Sequence, residues 1–245
     1  MKNQHKVNWH DYMDPAKTYS PWKKSLKSIL VRGLYRKIID YAVYVSIERR
    51  KLILKTDLWT EALGMNEFKS IPGNFELFGV ELSKGVCALA KPVMNGKPIV
   101  CASIQNLPFR SETFTILIDI STMDHVSYDD AGRVVAEYNR VLRPSGILLL
   151  CVDSKFSFPW EVYRKLLLKF EAWSWVPINV RHLIQAHRFE IVNKFYANTF
   201  LDSLSDIFWQ FSGWSEASRW TFRQDWNKVY AFLAQYYAIV ARKPT

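Results

Sequence analysis

An α/β fold built on a doubly wound, mostly parallel sheet is predicted for this chain by three observations. Short apolar runs alternate with helical stretches from residue 51 onward. One of those runs, Phe114 to Ile120, is apolar enough to be buried on both faces, as the strands of parallel sheets are. No Gly/Ser/Pro-rich linker and no internal repeat divides the 245 residues, so one domain with decorations is expected.

Residues 1–19 read as irregular. Ser20-Pro21 then offers a helix cap followed by proline in the first turn. Trp22, Leu26, Ile29, Leu34, Ile38, Ala42 and Val45 recur from there at helical spacing. Lys23, Lys24, Lys27, Arg32, Arg36 and Lys37 fill much of the rest, and Gly33 is placed to split the segment into two helices. Such a basic amphipathic element either packs its apolar face over a pocket as a lid or lies on an anionic membrane. Strands follow at Leu52–Leu54, Glu76–Val80, the run KPIVCAS, Phe114–Ile120 and Ile147–Val152. Helices are expected at Ser83–Ala90, Tyr128–Leu142, Trp160–Phe170 and Val180–Ala186. A sixth strand is expected near Phe189–Asn193, and a seventh in YYAIVARKP. This order needs right-handed crossovers between parallel strands.

Charge is unevenly spread. Up to Lys55 there are 13 Lys/Arg against 4 Asp/Glu, and the remainder carries 20 against 19. The formal +10 is therefore almost wholly N-terminal, either a solvated face or a surface for an anionic partner. The N-terminus lacks the apolar core of a secretory signal, and the run Ile147–Val152 is far too short to span a bilayer. Cys87, Cys101 and Cys151 are widely spaced in apolar surroundings and read as three buried thiols of a reducing, cytoplasmic setting. No metal-ligand spacing occurs. The nine glycines never come closer than six residues apart, which excludes a phosphate-cradling glycine-rich loop and argues against NAD, FAD and ATP.

Four segments carry a resemblance. These are GVELSKGVCALAK after the second strand, CASIQNLPFRSETFTILID, STMDHV after the fourth strand, and EYNRVLRPSGILLL. Together they resemble the class I S-adenosylmethionine-dependent methyltransferases, and more narrowly the type 11 group. The likeness runs from about residue 50 to the end and is densest between Gly79 and Leu150. It implies a Rossmann-like, mostly parallel seven-stranded sheet whose last strand is antiparallel. Residues 1–50 would be a basic arm and helical lid, and 51–245 the methyltransferase domain. Substrate-cover segments would lie at about 155–187 and 199–230, with an aromatic-rich insertion before the last strand. It also implies S-adenosyl-L-methionine as cofactor.

Ligands of such sheets sit beyond the carboxyl ends of the strands, where strand order reverses. Glu81 would then accept the ribose hydroxyls, or remain a solvated strand-end charge. Leu82 follows it, and Ser103 and Ile104 would face the adenine, Ser103 standing where the group prefers Asp. Asp119 and Ser121 would meet the sulfonium end. The first loop departs from the group, because Lys55-Thr56-Asp57-Leu58-Trp59 has no glycine. There Asp57 or Glu61 could pair with the methionine ammonium, while Lys55 or Thr56 could hold its carboxylate. Thr115 replaces an Asp and Ser145 a Gly of the group's pattern.

His125 is the one histidine at an inferred strand end, a candidate base or substrate-orienting residue with Asp124 as partner, or simply a helix-capping side chain. Trp173, Phe200, Trp209, Trp214 and Trp220 suggest a hydrophobic or amphipathic small-molecule acceptor such as an isoprenoid, lipid, quinone or natural product. The N-terminal charge allows that acceptor an anionic group, and equally allows a peripheral membrane contact. The aromatics could instead fill a core or a homodimer interface. Two other readings compete: a non-catalytic cofactor-binding relative, and an RNA methyltransferase. The second lacks both an Asn/Asp-Pro-Pro-Tyr loop and a Pro-Cys nucleophile.

Overall fold

The computed structural model describes residues 26–68, 74–154, 177–197 and 236–245. In chain order these form α1 (Leu26–Val45), β1 (Lys51–Lys55), α2 (Trp59–Ala62), β2 (Phe75–Glu81), α3 (Lys84–Met94), β3 (Ile99–Cys101), β4 (Phe114–Ile120), a 3-10 turn (Met123–His125), α4 (Tyr128–Val141), β5 (Leu142–Asp153), α5 (Pro177–Ala186), β6 (Glu190–Ala197) and β7 (Tyr236–Arg242). The strands make one seven-stranded sheet in the order β3-β2-β1-β4-β5-β7-β6. Neighbours from β3 to β5 pair in parallel, and β7 runs antiparallel to both β5 and β6. The expected sheet, with its antiparallel last strand, is the observed one.

Each strand feeds two cores, because successive side chains point to opposite faces. Ile53, Ile116, Ile118, Ile147 and Leu149 join the layer that holds Tyr35, Ile38, Ile39 and Ala42 of α1 and Val86, Ala90 and Met94 of α3. Leu54, Leu117, Leu148 and Leu150 join the opposite layer with Val134, Val135, Tyr138 and Val141 of α4 and Val180 and Ile184 of α5. All seven residues of β4 are buried, as its unbroken apolar run requires.

The two best-matching motifs of the sequence are halves of one contact. Arg140 of α4 donates from Nη1 to the Phe109 carbonyl at 2.7 Å and from Nη2 to the Leu107 carbonyl at 2.9 Å. Glu137, one turn earlier, accepts the Leu107 N–H at 2.8 Å and binds Arg140 Nε at 2.7 Å. The Arg140 hydrogen bonds hold the Glu137 carboxyl below its ordinary range. The helix thus grips the Leu107-Pro108-Phe109 loop by its backbone, which explains why both patterns occur together.

Both departures downstream also have structural meaning. Thr115 is fully buried, and its hydroxyl accepts the Leu52 N–H at 2.9 Å and donates to the Leu52 carbonyl at 3.1 Å. It therefore stitches β4 to β1 just before their ladder begins at Ile53 and Ile116. Ser145 has φ +62°, a left-handed conformation in which glycine carries no Cβ penalty.

Three expectations need correction. Gly33 does not split the first helix, since Leu26–Val45 is continuous and nothing lies within 4 Å of where a Gly33 Cβ would be. A single glycine on an open face costs helix stability without breaking the helix. Cys101 is exposed, unlike Cys87 and Cys151, because it closes the short edge strand β3. The sixth strand extends to Ala197, beyond the expected Asn193. The irregular arm at 1–19, the Trp160–Phe170 helix and most of both cover segments lie outside the described residues.

Candidate functional site

The carboxyl ends of β2, β1, β4 and β5 open onto one cavity of about 460 Å³. That volume lies within the range of small-molecule sites. It lies where strand order reverses between β1 and β4, the place at which two crossovers leave in opposite directions. Ten of the twelve residues singled out from the sequence line it: Lys55, Thr56, Asp57, Glu81, Leu82, Ser103, Ile104, Ser121, Asp124 and His125.

The other two, Glu61 and Asp119, do not, and the sequence-based role of each is corrected. Glu61 is 1% exposed and faces Lys55, whose Nζ donates to its two carboxylate oxygens at 2.9 and 2.7 Å. The third Lys55 proton goes to Thr60 Oγ1 at 2.7 Å. Burial works against the lysine's charge, but Glu61, Asp57 and Glu67 outweigh it and hold the ammonium well above its ordinary range. Lys55 therefore touches the cavity as part of an internal ion pair, with no proton left to offer a ligand carboxylate. Asp119 is fully buried. It accepts the N–H groups of Thr122 at 3.0 Å and Met123 at 3.2 Å together with the Tyr138 hydroxyl. Burial pushes its carboxyl up to about 6. It shapes the turn after β4 from behind.

That turn is conformationally special. Ser121 has φ +58° and donates its N–H to the Cys151 carbonyl at 2.8 Å. A left-handed serine at a strand end over a cavity is the kind of strain that sites hold. Beyond it, both oxygens of Asp124 accept the Asp153 N–H at 3.1 Å, tying the 3-10 turn to the end of β5. His125 follows on the same turn and lines the cavity.

The glycine missing from the first loop reappears on the neighbouring strand. Thr56 donates its N–H to the Ile118 carbonyl at 3.0 Å, and Asp57 Oδ1 accepts the Trp59 N–H at 2.9 Å in a tight turn. Leu58 then drops, fully buried, onto Gly79 of β2. A Cβ at Gly79 would stand 2.7 Å from Leu58 Cδ2 and 2.8 Å from Cδ1. Close backbone approach is thus achieved from the side of β2. The same descent points the Leu58 N–H at Glu81 Oε2, 3.3 Å away. The other oxygen, Oε1, accepts the Ser83 N–H at 2.8 Å. Burial raises the Glu81 carboxyl above its ordinary value, while these backbone bonds oppose the shift. Each oxygen keeps a lone pair for a second donor. Gly79→Ala is expected to cost about 1–3 kcal/mol by overpacking, since the fully buried Leu58 must shift to admit the methyl. Urea unfolding would measure it, and a loss under about 0.5 kcal/mol would mean the contact relaxes freely.

Several lining residues were not anticipated. Tyr35 of α1 and Tyr236 of β7 meet edge to face with ring centroids 6.0 Å apart. Both line the cavity, and burial raises both phenols well above their ordinary value. Asp153 ends β5, so the strand-end rule that selected Glu81 would have found it. Trp59 ends the Lys55–Trp59 loop that the first strand was expected to turn toward the crevice, whereas Glu67 lies further along the connection between β1 and β2, where no periodicity marks it. Among the described residues no group of three or more His, Cys, Asp or Glu could hold a metal ion.

Residues 62–150 match a family model described as a methyltransferase domain. Over that stretch the chain resembles the type 11 methyltransferase domains, and its fold is that of the class I methyltransferases. The match begins at Ala62, just after the glycine-free loop, and contains Glu81, Ser103, Ser121 and His125. The chain also superposes on solved structures of low identity, which share its fold. A SAM-dependent methyltransferase of Methanosarcina mazei is 14% identical, with 82% of this chain and 96% of that one covered and a TM-score of 0.55. A magnesium protoporphyrin IX methyltransferase from Synechocystis with bound SAH is 10% identical, over 88% and 84% of the two chains, with a TM-score of 0.60. An uncharacterized protein of Methanocaldococcus jannaschii is 30% identical over 84 residues, 34% of this chain. The chain spans only 32% of that curated relative's length.

Proposed function

We propose that the protein transfers a methyl group from S-adenosylmethionine to a small hydrophobic or amphipathic acceptor. The observation that carries this reading is the order of groups along the cavity. Sheet neighbours β3, β2, β1 and β4 present in turn Ser103 and Ile104 just after β3, Glu81, the Thr56–Asp57 turn and Ser121. Strands stand about 4.8 Å apart, so this is a row the length of a nucleoside with an amino-acid tail. Ile104 and the Ser103 hydroxyl suit the adenine, and the Glu81 carboxylate suits two neighbouring ribose hydroxyls. Asp57 keeps Oδ2 for an ammonium, and Thr56 and the strained Ser121 turn face the sulfonium end. The residues present therefore fit the cofactor without a glycine-rich loop, because it has no phosphate for backbone amides to cradle.

When bound, the cofactor supplies an electrophilic methyl whose departure leaves a neutral thioether. The chain's part is to align an acceptor with that methyl and to exclude water. His125 is positioned to take the acceptor's proton where there is one, with Asp124 holding its turn against β5. Tyr35 and Tyr236 form the apolar wall, α1 acting as the lid. Among the described residues the lining offers Asp57, Glu67, Glu81, Asp124 and Asp153 against Lys55. Such a lining favours a neutral or cationic acceptor over an anionic one.

Titration calorimetry with S-adenosylhomocysteine tests the reading. Binding by the wild-type protein, and a roughly ten- to hundredfold loss in Glu81→Ala, are expected from removing about 1.5–3 kcal/mol of charged hydrogen bonding. No binding at millimolar ligand would sink it.

A further inference from the structure

Glu67 is the one buried carboxylate among the described residues whose oxygens both lack a hydrogen-bond partner. It lies in the turn after α2, 7% exposed, and lines the cavity. Its nearest cation, Lys55 Nζ, is 3.6 Å away and already gives its three protons to Thr60 and Glu61. Glu67 therefore gains attraction from Lys55 but no donor. Leaving a carboxylate so placed is costly unless something else supplies the hydrogen bonds.

Its place on the cavity wall beside Lys55 decides what that something is. Glu61 is consumed by Lys55, and Asp57 spends one oxygen on Trp59. Glu67 lines the cavity at its β1 end, on the far side of Glu81 from Ser103. On the proposed reading of the cavity, on which this inference rests, that is where the amino-acid tail must lie. We propose that Glu67, alongside the free Oδ2 of Asp57, receives the α-ammonium of the cofactor's methionine tail, a place left open by the inward turn of Glu61.

A proton accompanies the exchange. Burial pushes the Glu67 carboxyl up to about 7, Lys55 draws it down, and Glu61 and Asp57 raise it further. These groups, from β1, α2 and the first loop, are the charged groups that face it. An incoming ammonium stabilises the ionised form, so binding expels the proton that Glu67 holds below neutrality. Affinity for the tail then rises with pH through about 7 and levels off above it.

Calorimetry compares S-adenosylhomocysteine with methylthioadenosine, which has the same nucleoside and no amino-acid tail, on wild-type protein and Glu67→Gln. Buffers of different ionisation enthalpy count the protons. For the wild type, tail-dependent affinity should fall about fivefold from pH 7 to pH 6, with release of close to one proton at pH 6. Glu67→Gln should bind S-adenosylhomocysteine about tenfold or more weakly at pH 8, release no such proton, and bind methylthioadenosine within twofold of wild type. Equal weakening of both ligands, or unchanged S-adenosylhomocysteine binding, would overturn the assignment while leaving the cofactor reading intact. Failure of the wild type to bind either ligand would remove both.

Discussion

Lys55→Met is expected to destabilise the protein by about 3–5 kcal/mol at pH 8, the usual consequence of stripping one partner from a buried ion pair. Lys55 and Glu61 are each 1% exposed, and Glu67 stands 3.6 Å from the same ammonium. Without the lysine, two carboxylates share a dry space at the end of β1. The pair's isolated worth is a different quantity, so the control is the double variant Lys55→Met with Glu61→Leu, which should recover much of the loss. The pH dependence has a definite sign. Carboxylates robbed of their cation have folded values above the unfolded one. Their neutral forms sustain the fold at low pH, and stability is lost as pH rises through the folded values. The deficit of Lys55→Met should therefore shrink toward pH 5. Urea unfolding at both pH values checks this, and a deficit under about 1 kcal/mol at pH 8 would show that water reaches the site.

Asp119→Ala should cost a similar amount, about 3–5 kcal/mol, for another reason. Its carboxylate satisfies two backbone N–H groups and the Tyr138 hydroxyl in a fully buried setting, and each orphaned donor costs roughly 1–3 kcal/mol. Asp119→Asn keeps an acceptor and should lose about half as much. The folded carboxyl sits at about 6 against an ordinary 3.8, so the wild type sheds stability as pH rises between those values, whereas the amide does not. The Asn variant's deficit is thus smaller at pH 7 than at pH 4.5. A deficit that grows with pH instead would mean that Asp119 is ionised and stabilised as such. Thr122 and His125 ride on the turn that Asp119 holds, so cofactor affinity should fall along with stability.

Most of the scaffold was legible because it depends on local patterns. Apolar runs such as Phe114–Ile120 can only be buried strands, and Ser127 and Ser83 cap α4 and α3 by accepting N–H groups three residues on. Strand ends locate a site in this architecture before any side chain is placed, which is how Glu81, Ser103 and Ser121 came to line the cavity. What stayed hidden depends on register between segments distant in sequence. Gly79 meets Leu58 only because β1 and β2 pair Leu54 with Phe78 and Lys55 with Gly79. Glu61 turns inward because α2 is a single turn that aims its acid back at Lys55. Glu67 had no signal at all, since an acid in an irregular turn is ordinarily solvated. The aromatic segments suggestive of an acceptor fall outside the described residues.

The place of β7 has a consequence for how the molecule is assembled. It lies between β5 and β6, pairing with both, whereas β6 pairs among the described residues with β7 alone. During synthesis β6 emerges well before the strand that must receive it. Until Tyr236–Arg242 arrives, β6 is a ribbon of unanswered amides and carbonyls beside an open β5 edge, a template for pairing with other chains. Closure of this gap is a long-range event in sequence. Refolding is therefore expected to be slow, strongly concentration-limited in yield, and completed by the insertion of one strand.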